Sequence, residues 1–161
     1  LFQFQKESVR SMIRNKRSML ILRMGLGKTI CALSCCKILN KKKIIIVAPN
    51  SLKFQWQGEI NRFNLGSSLL ILKGSDIEQY KNQKFLIISY EMLNRHPEIL
   101  DNTFDIAIAD EIQKIKNAES VLYKLPQVSN VDIRLSPNLP FLPKNLPGIE
   151  KNIKILININ G

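Results

Sequence analysis

The chain has 161 residues, with 24 Lys+Arg against 13 Asp+Glu, a formal charge of +11 and 45% hydrophobic residues. That length suits one domain, and the apolar fraction is enough for a core, which excludes extensive disorder. No apolar run approaches the roughly 18–20 residues of a membrane span, and the start, Leu1 to Met12, lacks the basic-then-apolar layout of a secretory signal. The positive excess points to a polyanionic partner, nucleic acid before an anionic membrane surface, with a merely soluble basic domain as the plain alternative. The cysteines, Cys31, Cys35 and Cys36, fall on one helical stretch. They make a poor disulfide framework and no zinc site, so a reducing compartment is expected, with Cys31 and Cys35 packing as small apolar groups on one helix face.

Short continuous apolar runs occur at Met19–Leu22, Ile44–Ala48, Leu69–Leu72, Phe85–Ile88 and Phe104–Ala109. Continuous rather than alternating runs of this length predict strands buried on both faces of a parallel sheet. Helices are predicted over Lys28–Asn40, Leu52–Phe63, Asp76–Lys81 and Glu91–Arg95, with Asn50 or Ser51 capping the second and Ser75 the third. The alternation predicts an α/β fold, a three-layer doubly wound parallel sheet whose ligands sit beyond the carboxyl ends of the strands. The character changes after Leu125. Residues 1–125 read as the principal unit, and 126–161 as a divergent, proline-rich and low-complexity end that completes it with a strand near 131–135. Closely spaced prolines rule out helix from Ser136 to Gly148, and Ile153–Gly161 alternates as a strand would.

The first strand runs into Arg23-Met-Gly-Leu-Gly-Lys-Thr-Ile30, ahead of a helix. Gly25 and Gly27 let the backbone wrap a phosphate, whose oxygens the helix N-terminal amides then bind. Lys28 reaches β- and γ-phosphates, and the Thr29 hydroxyl suits magnesium. The full pattern has a glycine five positions before Gly27, where this chain has Leu22. The strand Phe104–Ala109 ends in Asp110-Glu111. Two carboxylates there suit the other half of an ATPase site, Asp110 holding magnesium and Glu111 orienting the attacking water. Loop and acidic pair together predict ATP and Mg2+ as cofactors.

With these residues in view the chain resembles the first RecA-like lobe of Swi/Snf-type helicase-like ATPases of superfamily two, nearest their annealing-helicase branch. Leu1-Phe-Gln-Phe-Gln-Lys-Glu-Ser-Val9 looks like the opening glutamine motif, which implies that Gln5 reads the adenine edge. Met24-Gly-Leu-Gly-Lys-Thr-Ile30 is similar to motif I, which implies nucleotide contacts from Met24, Gly25, Leu26, Gly27, Lys28, Thr29 and Ile30. Val47–Trp56 with Glu59 resembles motif Ia, Ile88-Ser-Tyr-Glu91 motif Ib, and Ile108–Asn117 motif II. The chain departs from the family at Leu22-Arg23, where an acidic pair is usual, and at Ile112 and Gln113. It departs again in Ile133–Pro140, which keeps only Leu135 and Ser136 of motif III.

The resemblance implies duplex or forked DNA as partner, bound through phosphates by Ser51 and Lys53 of motif Ia and by Ser89 and Tyr90 of motif Ib. Such contacts predict salt-dependent binding with little sequence preference. It also implies a second RecA-like lobe, in cis or trans, whose arginine fingers are worth about 10³–10⁵ in rate. No arginine of this chain sits in a finger motif, so the chain alone is expected to bind ATP weakly and hydrolyse it slowly. The implied setting is DNA remodelling or reannealing, nuclear in a eukaryote and cytoplasmic otherwise, without a membrane. A non-catalytic, truncated nucleotide-binding or protein-interaction module is the competing reading. A small-molecule kinase would need an arginine-bearing lid that the chain does not offer. Trp56 reads as a core residue ahead of a base-stacking one, with Phe63 seven positions on. Lys41-Lys-Lys43 reads as a solvated turn, and His96, before Pro97, is assigned neither partner nor role.

Overall fold

A computed structural model describes residues 1–112, 119–137 and 154–158. Helix α1 (Gln3–Arg14) leads into strand β1 (Arg17–Leu22), followed by α2 (Lys28–Leu39), β2 (Ile44–Ala48), α3 (Lys53–Arg62) and β3 (Ser68–Leu70). Then come β4 (Phe85–Ser89), α4 (Tyr90–Arg95), β5 (Phe104–Ala109), α5 (Glu119–Val128), β6 (Ser129–Ser136) and β7 (Lys154–Asn158). The strands form one seven-stranded sheet in the order β3-β4-β2-β5-β6-β1-β7, and every pair is parallel. This is the doubly wound α/β architecture expected from the strand–helix alternation.

Successive residues of a strand point to opposite faces, so each continuous apolar run feeds two cores at once. Leu20, Leu22, Ile44, Ile46, Ile106 and Ile108 face a core shared with Val9 and Met12 of α1, the three cysteines of α2, and Trp56 and Ile60 of α3. Met19, Ile21, Ile45, Val47, Ala107 and Ala109 face the other core, with Leu93 of α4 and Leu122 and Leu125 of α5. Three layers result. No described helix is long and apolar enough to cross a membrane.

Several details differ from the sequence expectations. Helix α1 was not predicted: its buried face is Gln5, Ser8, Val9 and Met12, half of it polar, which hides the apolar period. Neither Asn50 nor Ser51 caps α3; a 3-10 turn, Asn50–Leu52, leads into it and its N-cap is Leu52. The predicted helix at Asp76–Lys81 is a 3-10 helix over Gly74–Asn82, and Ser75 does not cap it. Its N-cap is Lys73, and Asp76 in the first turn reaches back, its Oδ2 accepting the amides of Leu72 and Lys73 at 3.0 Å each.

Strand β6 inserts between β5 and β1 and carries a buried ion pair, Arg134 Nε to Asp132 Oδ2 at 3.1 Å. Arg134 Nη2 also donates to the Leu122 carbonyl of α5 at 2.6 Å. His96 is not isolated: its Nδ1 lies 2.9 Å from Glu98 Oε1. The tail of motif II from Gln113 onward, and Asn138–Pro140 of the motif III segment, lie outside the described residues.

Candidate functional site

The carboxyl ends of β1, β2 and β5 open on one cavity of about 400 Å³. On one side lies the loop after β1. Gly25 and Gly27 have φ of +82° and +83°, a left-handed backbone that costs an L side chain about 1–2 kcal/mol. Gly27 ends the loop and is the N-cap of α2, whose first bond runs from Cys31 N to Gly27 O at 3.0 Å. The first-turn amides of α2 precede that bond and, by helix geometry, point back into the loop. Lys28 and Thr29 line the cavity from this turn. The Lys28 ammonium crosses the loop and donates to the Leu22 carbonyl at 3.0 Å. A Cβ at Gly25 would meet nothing within 4 Å.

Asp110 and Glu111, immediately after β5, line the same cavity and are both buried. Asp110 N still donates to Val47 O at 2.8 Å, so the sheet register carries through to the acidic pair. Asp110 Oδ2 accepts Trp56 Nε1–H at 3.0 Å, and Oδ1 accepts the Glu111 amide at 2.8 Å. Its carbonyl accepts the Tyr90 hydroxyl at 2.8 Å. Glu111 adopts φ +51°, uncommon outside glycine, so the turn that aims its carboxylate stores strain. Burial raises the Asp110 carboxyl above the usual range; the Trp56 hydrogen bond opposes this, and the Glu111 charge adds to it. A cation beside Asp110 would reverse that preference.

Gln5 sits behind the loop. Its Oε1 accepts the Phe2 amide at 2.9 Å and its Nε2 donates to the Leu26 carbonyl at 3.0 Å, tying α1 to the phosphate loop. It also lines a second cavity, about 530 Å³, walled by Phe2, Leu33, Phe63 and Leu65 and shared with Ile30. Met24 is exposed at the loop's tip, whereas Leu26 packs against the core under α1 and α2.

The four residues expected to touch DNA divide unevenly. Ser51 is exposed at the rim of the 400 Å³ cavity. The side chains of Lys53, Ser89 and Tyr90 turn inward. Lys53 is 2% exposed, and its ammonium donates to the Ile71 carbonyl at 3.0 Å. Burial lowers its pKa, and the Glu91 charge opposes that. Ser89 is the N-cap of α4, its Oγ accepting Met92 N at 3.1 Å. Tyr90 is buried against Asp110, and desolvation, with the nearby carboxylates, pushes its hydroxyl pKa well above 10. Each has an internal acceptor or donor that spacing along the chain does not reveal.

Helix α3 gives Gln55, Glu59 and Arg62 to the cavity wall beside Trp56; of these only Glu59 stands out in the sequence, beside motif Ia. Their spacing of four and three residues puts them on one helix face, and that signal was available.

The family described as "Type III restriction enzyme, res subunit" matches residues 1–132. Among curated proteins the chain is 29% identical to the DNA 3'-5' translocase XPB2 of Sulfurisphaera tokodaii, over 71% of this chain and 25% of that protein. It is also 29% identical to the human DNA annealing helicase and endonuclease ZRANB3, over 80% of this chain and 13% of that protein. The chain thus spans a quarter or less of the length of these relatives. Among solved structures, the Sulfolobus solfataricus SWI2/SNF2 ATPase core in complex with dsDNA superposes with a TM-score of 0.75 at 19% identity. That match covers 86% of this chain and 32% of that one.

Proposed function

Because the chain belongs to the family of the type III restriction enzyme res subunit, as the first RecA-like lobe of a Swi/Snf-type helicase-like ATPase, we propose that it binds Mg·ATP for a DNA-dependent motor. The observation that carries this reading is convergence. Lys28 from the first turn of α2, and Asp110 with Glu111 from the end of β5, meet in one cavity beside two left-handed glycines. The Thr29 hydroxyl and the Asp110 carboxylate are the kind of oxygen donors magnesium takes, one or two carboxylates completed by waters and phosphate oxygens.

When bound, Mg·ATP supplies the phosphoanhydride and a charge-neutralising cation. Lys28 and the first-turn amides of α2 bind the β- and γ-phosphates, while the Thr29 hydroxyl and Asp110 hold the magnesium. Glu111 orients the attacking water and takes its proton. Gln5, with its second Nε2 hydrogen and second Oε1 lone pair, serves the adenine edge from the 530 Å³ cavity. Met24, Leu26 and Ile30 shape the loop around the nucleotide.

DNA runs across the carboxyl ends of the strands, contacted through its phosphates at Ser51. Lys53, Ser89 and Tyr90 mark the same edge by position and shape it from beneath. A second lobe in cis or trans supplies the arginine fingers. The assembled motor remodels or reanneals duplex or forked DNA, in the nucleus if the source is eukaryotic. The test is titration of fluorescent ADP and ATP with Mg2+ into the wild-type chain and Lys28→Ala, followed by ATP turnover with and without duplex DNA. Binding lost in Lys28→Ala, with slow turnover by the chain alone, is expected. Equal binding by both proteins, or robust DNA-stimulated turnover without a second lobe, refutes the reading.

A further inference from the structure

The acidic pair is held by helix α3 as well as by its own strand. Trp56 is 1% exposed, within the core beneath α1, α2 and α3, so its ring has little freedom to reorient. Its only polar atom, Nε1, donates to Asp110 Oδ2 at 3.0 Å. The other carboxylate oxygen is fixed by the Glu111 amide at 2.8 Å, and the backbone is fixed at the Asp110 carbonyl by Tyr90 at 2.8 Å. Tyr90 thus sets the peptide, while the Glu111 amide and Trp56, one on each oxygen, set the rotation of the carboxylate about it. An ionised carboxylate has about four lone-pair sites. The two protein donors fill one on each oxygen and define where the remaining ones point.

We infer that Trp56 is a positioning residue for magnesium: its indole N–H presets the Asp110 carboxylate in the orientation that binds the cation. The inference rests on the Mg·ATP reading above and names the device that prepares its metal ligand. Partners that orient a metal ligand in this way typically change metal affinity about 10–100-fold when removed. The geometry adds a consequence. Trp56 lies on α3, which follows directly on the 3-10 turn that carries the exposed Ser51 at the cavity rim. A shift of α3 along its axis therefore moves the donor relative to Asp110 and alters how well magnesium is held.

Trp56 is the only tryptophan of the chain, so replacing tryptophan with β-(3-benzothienyl)alanine during expression exchanges its N–H for sulfur and leaves the ring's shape. The full chain in this form, Trp56→Phe and wild type are titrated with N-methylanthraniloyl-ADP in EDTA and across a Mg2+ series. The Mg2+ concentration for half-maximal enhancement of binding should rise about tenfold in both altered proteins, while the affinity in EDTA stays within about twofold. An unchanged Mg2+ midpoint beside a Mg2+-dependent wild type overturns the inference and leaves the Mg·ATP reading standing. An EDTA affinity that falls as far as the Mg2+-dependent one also overturns it, since the indole would then be only a packing group. A wild-type chain that binds nucleotide without regard to Mg2+ overturns the reading beneath it and the inference together.

Discussion

Gly25 and Gly27 share a backbone conformation but not a neighbourhood, and substituting each by alanine separates the two. Both have φ near +82°, so either alanine meets the left-handed penalty of about 1–2 kcal/mol. Reduced freedom of the unfolded chain returns about 0.4–1 kcal/mol of that. At Gly25 nothing else lies within 4 Å, and Gly25→Ala should destabilise by about 1 kcal/mol net. At Gly27 the new Cβ would lie 2.5 Å from Gln5 Nε2. The amide nitrogen must withdraw and give up its bond to the Leu26 carbonyl, at about 1 kcal/mol. Gly27→Ala should therefore destabilise by about 2 kcal/mol, and Gln5→Ala, which loses that bond and the one from the Phe2 amide, by about 2 kcal/mol. With the amide already removed, Gly27→Ala meets only its backbone penalty, so the double variant should come to about 3 kcal/mol rather than 4. Urea unfolding of the four proteins without nucleotide gives this cycle directly, provided the m-values agree. A coupling below about 0.5 kcal/mol, or a Gly25→Ala as damaging as Gly27→Ala, refutes the claim that Gln5 braces the phosphate loop.

Two further predictions concern protons. The amides of Lys73 and Leu72 hold the Asp76 carboxyl below its ordinary 3.8. For a depressed carboxylate, the stabilisation is complete above the unfolded pKa and disappears as pH falls through the folded one. The difference in urea midpoint between wild type and Asp76→Ala should thus be full at pH 6 and shrink below pH 3.8; a difference that widens in acid contradicts the two-amide cap. Burial pushes the Cys31 thiol up to about 11 and Cys36 to about 12, with Cys35 higher still. Here the folded value is raised, so stability should be level below about pH 9 and fall above it, as the unfolded thiols ionise first. At pH 8 a disulfide reagent should label none of the three in the folded chain and all three after unfolding, and stoichiometric labelling of the folded chain would contradict their burial.

What the sequence made legible follows from how each element is buried. Strands β2, β4 and β5 read clearly because both faces are covered and their residues are almost all apolar. Strand β6, expected near 131–135, is buried over its last five residues, but its run is interrupted by Asp132 and Arg134, whose burial is compensated by their ion pair and by the bond from Arg134 to the Leu122 carbonyl. Helix α5 was obscured by Pro126, which lies near its C-terminal end. In the site, the loop and the acidic pair were readable because their chemistry needs adjacent residues in a fixed order. The inward turn of Lys53 was not, because its acceptor is a backbone carbonyl at Ile71, and backbone carbonyls leave no mark in a side-chain pattern. Trp56 was recognisable as a core residue. Its bond to Asp110 joins positions that only the sheet brings together.

Strand β1 carries the glycine loop, and both of its neighbours in the sheet, β6 and β7, come from the last part of the chain. Its register pairs Arg17 with Asp132 and Ser18 with Lys154. Strands β2, β4 and β5 find their partners among one another while the chain is still being made, but β1 has to wait. At about 5–20 residues per second, the delay before β6 is synthesised is of the order of ten seconds. Through that interval the edges of β1, Met19 to Leu22, are apolar and unpaired, an open template for wrong pairing. A ribosome that stops after Val128 would release a chain containing every loop and acidic residue of the site but neither strand that flanks β1. The glycine loop is thus among the first parts of the site to be made and the last to be assembled.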